Sequence, residues 1–134
     1  MKITRRTDYA IHLIARLSEE PDQCFGLRIL AADHGVTYAF ARTVQQGLLK
    51  AGIIKAVRGV NGGIQLARPI DEITLFDVFE AAQGPFDQVF SYANTPWCKC
   101  NDDFCVSAEM WNSTKELMKD HFSGITLKSL LKTQ

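Results

Sequence analysis

The 134-residue sequence contains no apolar run approaching the roughly 20 residues that a membrane-spanning helix needs, so no membrane partner is expected. It shows no internal repeat and no low-complexity segment. It also has no paired catalytic carboxylates, no Ser/His/Asp arrangement and no phosphate-binding glycine motif, so nothing in it points to an enzyme. A net charge is missing too, with 15 Lys and Arg balanced by 15 Asp and Glu. Met1-Lys2, Arg5 and Arg6 raise the question of a signal peptide. However, His12 and Arg16 interrupt the apolar stretch from Tyr9 to Leu17, and no small-residue cleavage site follows. The chain therefore reads as unexported and cytoplasmic. Cysteine is scarce: Cys24, Cys98, Cys100 and Cys105 are the only four, and three of them fall within eight residues. In a reducing compartment such a cluster points to metal binding or redox chemistry rather than to a disulfide framework.

What remains is the composition of a globular chain, 46% hydrophobic and 22% charged, long enough for one domain or one small domain with an appendage. Its charges are unevenly placed. Residues 1–68 carry ten Lys and Arg against five Asp and Glu, a net +5; residues 69–134 carry five against ten, a net −5. A basic first half joined to an acidic second half suits a protein whose first half alone meets a polyanion.

The hydrophobic pattern divides the chain into elements. Ala10, Leu13, Ile14 and Leu17 make one buried stripe on a helix predicted from Thr4 to Ser18, with Asp8 and His12 on a different face. A short helix fits Leu27 to His34, with Leu27, Leu30 and Ala31 inward, and Gly35 breaks it. Thr37 is a natural cap for a third helix that ends near Ala51-Gly52. Two helices joined by a short Gly-containing turn form a helix-turn-helix pattern. The β-rich runs Ile53 to Arg58 and Ile64 to Arg68, separated by a glycine-rich tip, add a hairpin in the position of a wing. Thr74 and Asp77 signal the start of a helix from Leu75 to Gln83. Residues 85–104 show no regular period, a long helix fits Val106 to Phe122, and Thr126 caps a short last one. The expected fold is mainly α with a small β-hairpin wing. Residues 1–68 form the winged helix-turn-helix, and residues 69–134 hold a loop, 85–105, between further helices.

On the third helix Ala41, Val44, Leu48 and Ala51 point to the core. Ala39, Arg42, Thr43 and Gln46 point away, with Tyr38 at the edge. The start of this helix is placed to enter the major groove of double-stranded DNA. Arg42 suits guanine O6 and N7, Gln46 suits adenine, and Thr37 and Tyr38 suit phosphates or a thymine methyl. Arg58 at the hairpin entrance and Asn61 at its tip suit a backbone wall or a narrow minor groove.

The run VTYAFARTVQQGLLKAGIIKAVRGVNGGIQLARPIDEITLFDVFEAAQGP, with the opening MKITRRTDYAIHLI and the closing GITLKSLL, resembles the Rrf-type transcriptional regulators. This superfamily includes the iron–sulfur cluster regulator and the nitric-oxide-sensing repressor. The resemblance implies a regulator, acting as a repressor, that binds a palindromic DNA operator as a homodimer joined through the long C-terminal helix. It matches Arg58 to the family's wing arginine, and Thr37, Tyr38, Ala39 and Arg42 to its base-reading positions. In many members it also implies a three-cysteine iron–sulfur cluster in the loop before the dimer helix. The chain departs from the family in four ways. Arg42 stands where Glu is frequent, and Leu49 where a basic residue is common. Ala108 stands where the cluster regulator has a histidine ligand, and the cysteine spacing, C-x-C-x4-C, is tighter than usual.

Thiolates are soft ligands suited to iron–sulfur clusters, zinc and copper(I). Cys98, Cys100 and Cys105 leave one coordination position open around a cluster of the 2Fe-2S or 4Fe-4S type. By resemblance to the nitric-oxide-sensing repressor, whose sequence has a similar TDY, Asp8 of the partner subunit is the expected fourth ligand, with His12 in reserve. Zinc fits three thiolates plus one further donor as well, and a thiol switch without metal is a further alternative. Cys24, alone, reads as a small core residue.

Overall fold

A computed structural model of the chain describes residues 3–89 and 106–131, so Cys98, Cys100 and Cys105 lie outside the described residues. Helix α1 (Arg5–Glu19) buries the expected stripe, together with Thr7 and Tyr9. Thr4 occupies its N-cap position, but its side chain makes no capping bond. Instead the Thr4 backbone N–H donates to Gln83 Oε1 at 2.9 Å, and the Thr7 hydroxyl donates to the same oxygen. The beginning of α1 is thus held by a side chain 79 residues away.

Helix α2 (Leu27–Asp33) and helix α3 (Tyr38–Lys50) are joined by a turn in which Gly35 takes φ +64°. Thr37 caps α3 by accepting a hydrogen bond from the Phe40 N–H at 3.2 Å, as its position predicts. Ala41, Val44 and Leu48 are buried, whereas Ala51, expected inward, is exposed. The helix stops at Lys50, and the chain turns away through Gly52 at φ +72° before that face completes another turn. Leu27, also expected inward, is only half-buried.

The hairpin consists of β1 (Ile54–Val57) and β2 (Gly63–Leu66), paired antiparallel with Ile54 opposite Leu66 and Val57 opposite Gly63. Phe25, just before α2, exchanges two backbone hydrogen bonds with Ile64, at 3.0 and 2.9 Å, and so clamps the wing to the helix-turn-helix. This contact requires Gly63: a Cβ there would collide with the Phe25 backbone, and its φ of +147° is one that side-chain-bearing residues avoid.

A 3-10 turn (Ile70–Glu72) leads to α4 (Leu75–Gln83), which begins with a reciprocal capping box between Thr74 and Asp77. The stretch from residue 85, expected to lack regular structure, contains a one-turn helix, α5 (Phe86–Val89). One turn is too short to create a period; it is fixed by Phe86, whose ring packs against Phe76, Phe79 and Phe122. Helix α6 (Val106–Ser123) is followed by α7 (Leu127–Leu131), close to the expected ends. The chain's end returns to α4 through the Leu75 N–H to Ile125 and the Leu127 N–H to Ile73, both at 2.9 Å.

One apolar core joins these parts. Leu13, Ile14, Leu30, Leu48, Ile64, Ile73, Val78 and Leu127 belong to the same buried cluster. Helix α4 lies against both α1 and α3. At the α3–α4 crossing, Gly47 lies so near the Ala81 carbonyl oxygen that a Cβ would overlap it. Among the described residues, no helix is long and apolar enough to cross a membrane.

Candidate nucleic-acid interface and first-helix site

The cap at Thr37 fixes where α3 begins, and so which side chains stand at its exposed start. Thr37, Tyr38, Ala39, Arg42, Thr43 and Gln46 are all exposed on one side, opposite the buried Ala41, Val44 and Leu48. The Thr43 hydroxyl donates to the Ala39 carbonyl at 3.0 Å, leaving its lone pairs outward as acceptors. Arg42 and Arg58 form no ion pair among the described residues, so both guanidinium groups keep their donors available.

Arg58 and Asn61 are exposed in the tip between β1 and β2, and Val60 beside them is fully exposed. The tip closes with a hydrogen bond from the Gly62 N–H to the Gly59 carbonyl at 3.0 Å. A side chain at Gly62 would strike the Val57 carbonyl oxygen, so this turn can be tight only with glycine there. The structure therefore presents a helix start and a glycine-built wing tip as two separate exposed surfaces.

Arg28 was missed in the sequence reading. It is exposed on α2, and its guanidinium lies over the Tyr38 ring at 4.3 Å from the centroid. No local pattern reveals this pair, because its members sit on different helices and meet only when the helix-turn-helix forms.

Asp8 and His12 are exposed on α1, one turn apart, with Asp8 Oδ1 3.8 Å from His12 Nε2. They border a cavity of about 500 Å³ whose other lining includes Arg5, His34 and Thr37. His34 lies at the end of α2, with Nδ1 2.9 Å from the Leu30 carbonyl oxygen and its ring centroid 6.0 Å from that of His12. The two first-helix candidates thus open onto the turn that caps α3. Tyr9, in the same wall, is buried, and burial pushes its phenol pKa above the ordinary value near 10. Among the described residues no group of three His, Cys, Asp or Glu could hold a metal ion, so a metal centre using Asp8 or His12 needs donors from elsewhere. Cys24 is half-buried rather than fully in the core, with its sulfur 3.0 Å from Gln65 Oε1.

A helix-turn-helix with a hairpin wing clamped to it defines a winged helix-turn-helix protein. The chain belongs to the Rrf2 family, described as "Iron-dependent Transcriptional regulator", whose model matches residues 3–133. It is accordingly a transcriptional regulator of that family and not an enzyme. It is 35% identical over 86 residues to protein aau3 of Rhizobium meliloti, a match covering 64% of this chain and 56% of that one. It is 30% identical over 90 residues to the HTH-type transcriptional regulator NsrR of Halalkalibacterium halodurans, covering 66% and 62%. These two matches span little more than half of the relatives' lengths. The fold is that of CymR, the global cysteine regulator of B. subtilis, at a TM-score of 0.75 and 21% identity, covering 100% of this chain and 98% of that one. It is also that of T. potens IscR, at 0.75 and 23%, covering 99% and 88%.

Proposed function

We infer that the protein is a cytoplasmic repressor that binds a palindromic operator in double-stranded DNA as a homodimer and senses redox state, nitric oxide or iron through a cysteine-ligated iron–sulfur cluster. The observation that carries the DNA reading is the exposed Arg42 at the capped start of α3, without an ion pair among the described residues, with Arg58 at the wing tip as a second donor. Thr37, Tyr38, Ala39, Thr43, Gln46 and Asn61 complete the contact set. Arg42 reads a guanine edge, Gln46 an adenine, and Arg58 reaches the adjoining minor groove.

The homodimer is supported by α6, where Met110 and Leu117 are 65% and 71% exposed on the side shared with Thr114 and His121. An amphipathic helix that turns such side chains to water gains by pairing that face with its own copy. Residues 1–68 then act as the reading head, while the loop 85–105 and the helices around it form the sensing and pairing half.

Cys98, Cys100 and Cys105 supply three soft ligands for a 2Fe-2S or 4Fe-4S cluster. Asp8 of the partner subunit completes the set, with His12 as the alternative. The exposure of both side chains suits donation to a centre carried by another chain. Bound there, a cluster supplies a redox- and nitric-oxide-reactive group with one weak ligand. Asp8 and His12 then connect that group to α1, and the shared cavity connects them to Thr37 at the start of α3. Zinc is a second reading: His12 beside Asp8 offers a nitrogen or oxygen donor that would complete a tetrahedral three-thiolate site equally well.

Anaerobic purification followed by a visible spectrum and analysis for iron, sulfide and zinc tests the sensing half. Broad visible absorption with matching iron and sulfide is expected, lost or altered in Asp8→Ala. Colourless protein with one zinc per chain establishes the zinc reading. Colourless, metal-free protein that resists reconstitution overturns both and leaves thiol chemistry.

A further inference from the structure

We propose that Arg28, held against the ring of Tyr38, is a preset phosphate clamp at the edge of the DNA-binding surface. The inference rests on the DNA-binding reading above and extends its footprint from α3 and the wing to α2.

Arg28 lies near the beginning of α2, the first helix of the helix-turn-helix. In such motifs the first helix crosses the sugar-phosphate backbone while the second lies in the groove. Its guanidinium carbon stands 4.3 Å from the centroid of Tyr38, the first residue of α3. A guanidinium over an aromatic face has five N–H donors, and those not turned toward the ring remain for an anion. No carboxylate takes them: Arg28 forms no ion pair among the described residues, whereas Arg16, Arg68 and Lys115 all do. Both members of the stack are exposed. Ordering the long side chain before the encounter lowers the entropy lost when a phosphate is bound. The stack also ties the clamp to the register of α3, because Tyr38 adjoins the Thr37 cap.

A phosphate carries no sequence information, so the test needs no known operator. Binding of the full chain to a labelled 30-base-pair duplex of arbitrary sequence is followed by fluorescence anisotropy across a range of salt concentrations. Each phosphate contact contributes about 0.9 to the slope of log K against log salt. Arg28→Ala is expected to reduce that slope by about 0.9 per protomer, by the same amount on duplexes of different sequence, with an unchanged thermal midpoint. Arg28→Lys keeps the charge and is expected to retain most of the slope at weaker affinity, because an ammonium lacks the forked donors that a guanidinium offers a phosphate. Should Arg28→Ala not fold, Arg28→Gln carries the same test. A wild-type protein that binds with strong salt dependence, beside an Arg28→Ala protein of unchanged slope, overturns the clamp and leaves the DNA reading standing. A wild-type protein that binds no duplex at any salt concentration overturns both.

Discussion

Replacing Gly47 with alanine adds a single methyl group at the point where α3, the proposed DNA-reading helix, crosses α4. The added Cβ would overlap the Ala81 carbonyl oxygen, a backbone atom within α4 that cannot rotate away. Overpacking of this kind costs about 1–3 kcal/mol, and a backbone obstacle puts Gly47 near the upper end. Alanine's better helix propensity returns roughly 0.8–1 kcal/mol. The net loss is about 1–2 kcal/mol, which for a chain of this size lowers the thermal midpoint by roughly 3–10 °C. Relief requires α3 to shift on α4, so DNA affinity should fall as well. The assay is thermal unfolding at fixed protein concentration, since the midpoint of the proposed dimer would depend on it, together with DNA anisotropy. Gly26→Ala is the control, because a Cβ there meets only the Ile29 side chain at 4.0 Å. A Gly47→Ala protein with the wild-type midpoint or a higher one would refute the argument from close packing.

Arg42→Ala should weaken binding at the preferred site by about 1–3 kcal/mol, roughly 5- to 150-fold, and relax the preference at one base; competition with substituted duplexes measures both. Phe79→Ala removes a fully buried ring at the centre of the aromatic cluster and should cost about 3–5 kcal/mol in urea unfolding. Tyr9→Phe removes a buried hydroxyl that has no partner among the described residues, so stability at pH 7 should be unchanged or increased. The folded phenol titrates above the ordinary value near 10. Below pH 10 the phenol is neutral in the folded and unfolded chain alike, so its titration leaves stability unchanged, and as pH rises beyond 10 the wild type should lose stability that Tyr9→Phe keeps, as melting between pH 8 and 11 would show.

Much of this architecture is written locally. The stripe of α1, the Thr37 cap, the Thr74–Asp77 box and the glycine-rich hairpin tip each follow from a few neighbouring residues, and the structure forms all of them. The parts that could not be read from the sequence depend on distant contacts. Phe25 joins the wing only because Ile64 arrives beside it. The one-turn α5 exists because three other rings receive Phe86. Ala51 misled the helical wheel because the wheel extends past the helix end. At the site, the outward face of α3 was legible as a period. The Arg28–Tyr38 stack and the cavity joining Asp8 and His12 to His34 and Thr37 depend on how the helices pack.

The most direct test of the account is selection of binding sites from random duplex DNA, followed by footprinting of the enriched sequence. The expected result is a palindrome whose half-sites lie about one helical turn, or a multiple of it, apart, each half protected in a major groove and in the minor groove beside it. Enrichment of no sequence, or of an asymmetric site bound by one chain, would contradict it.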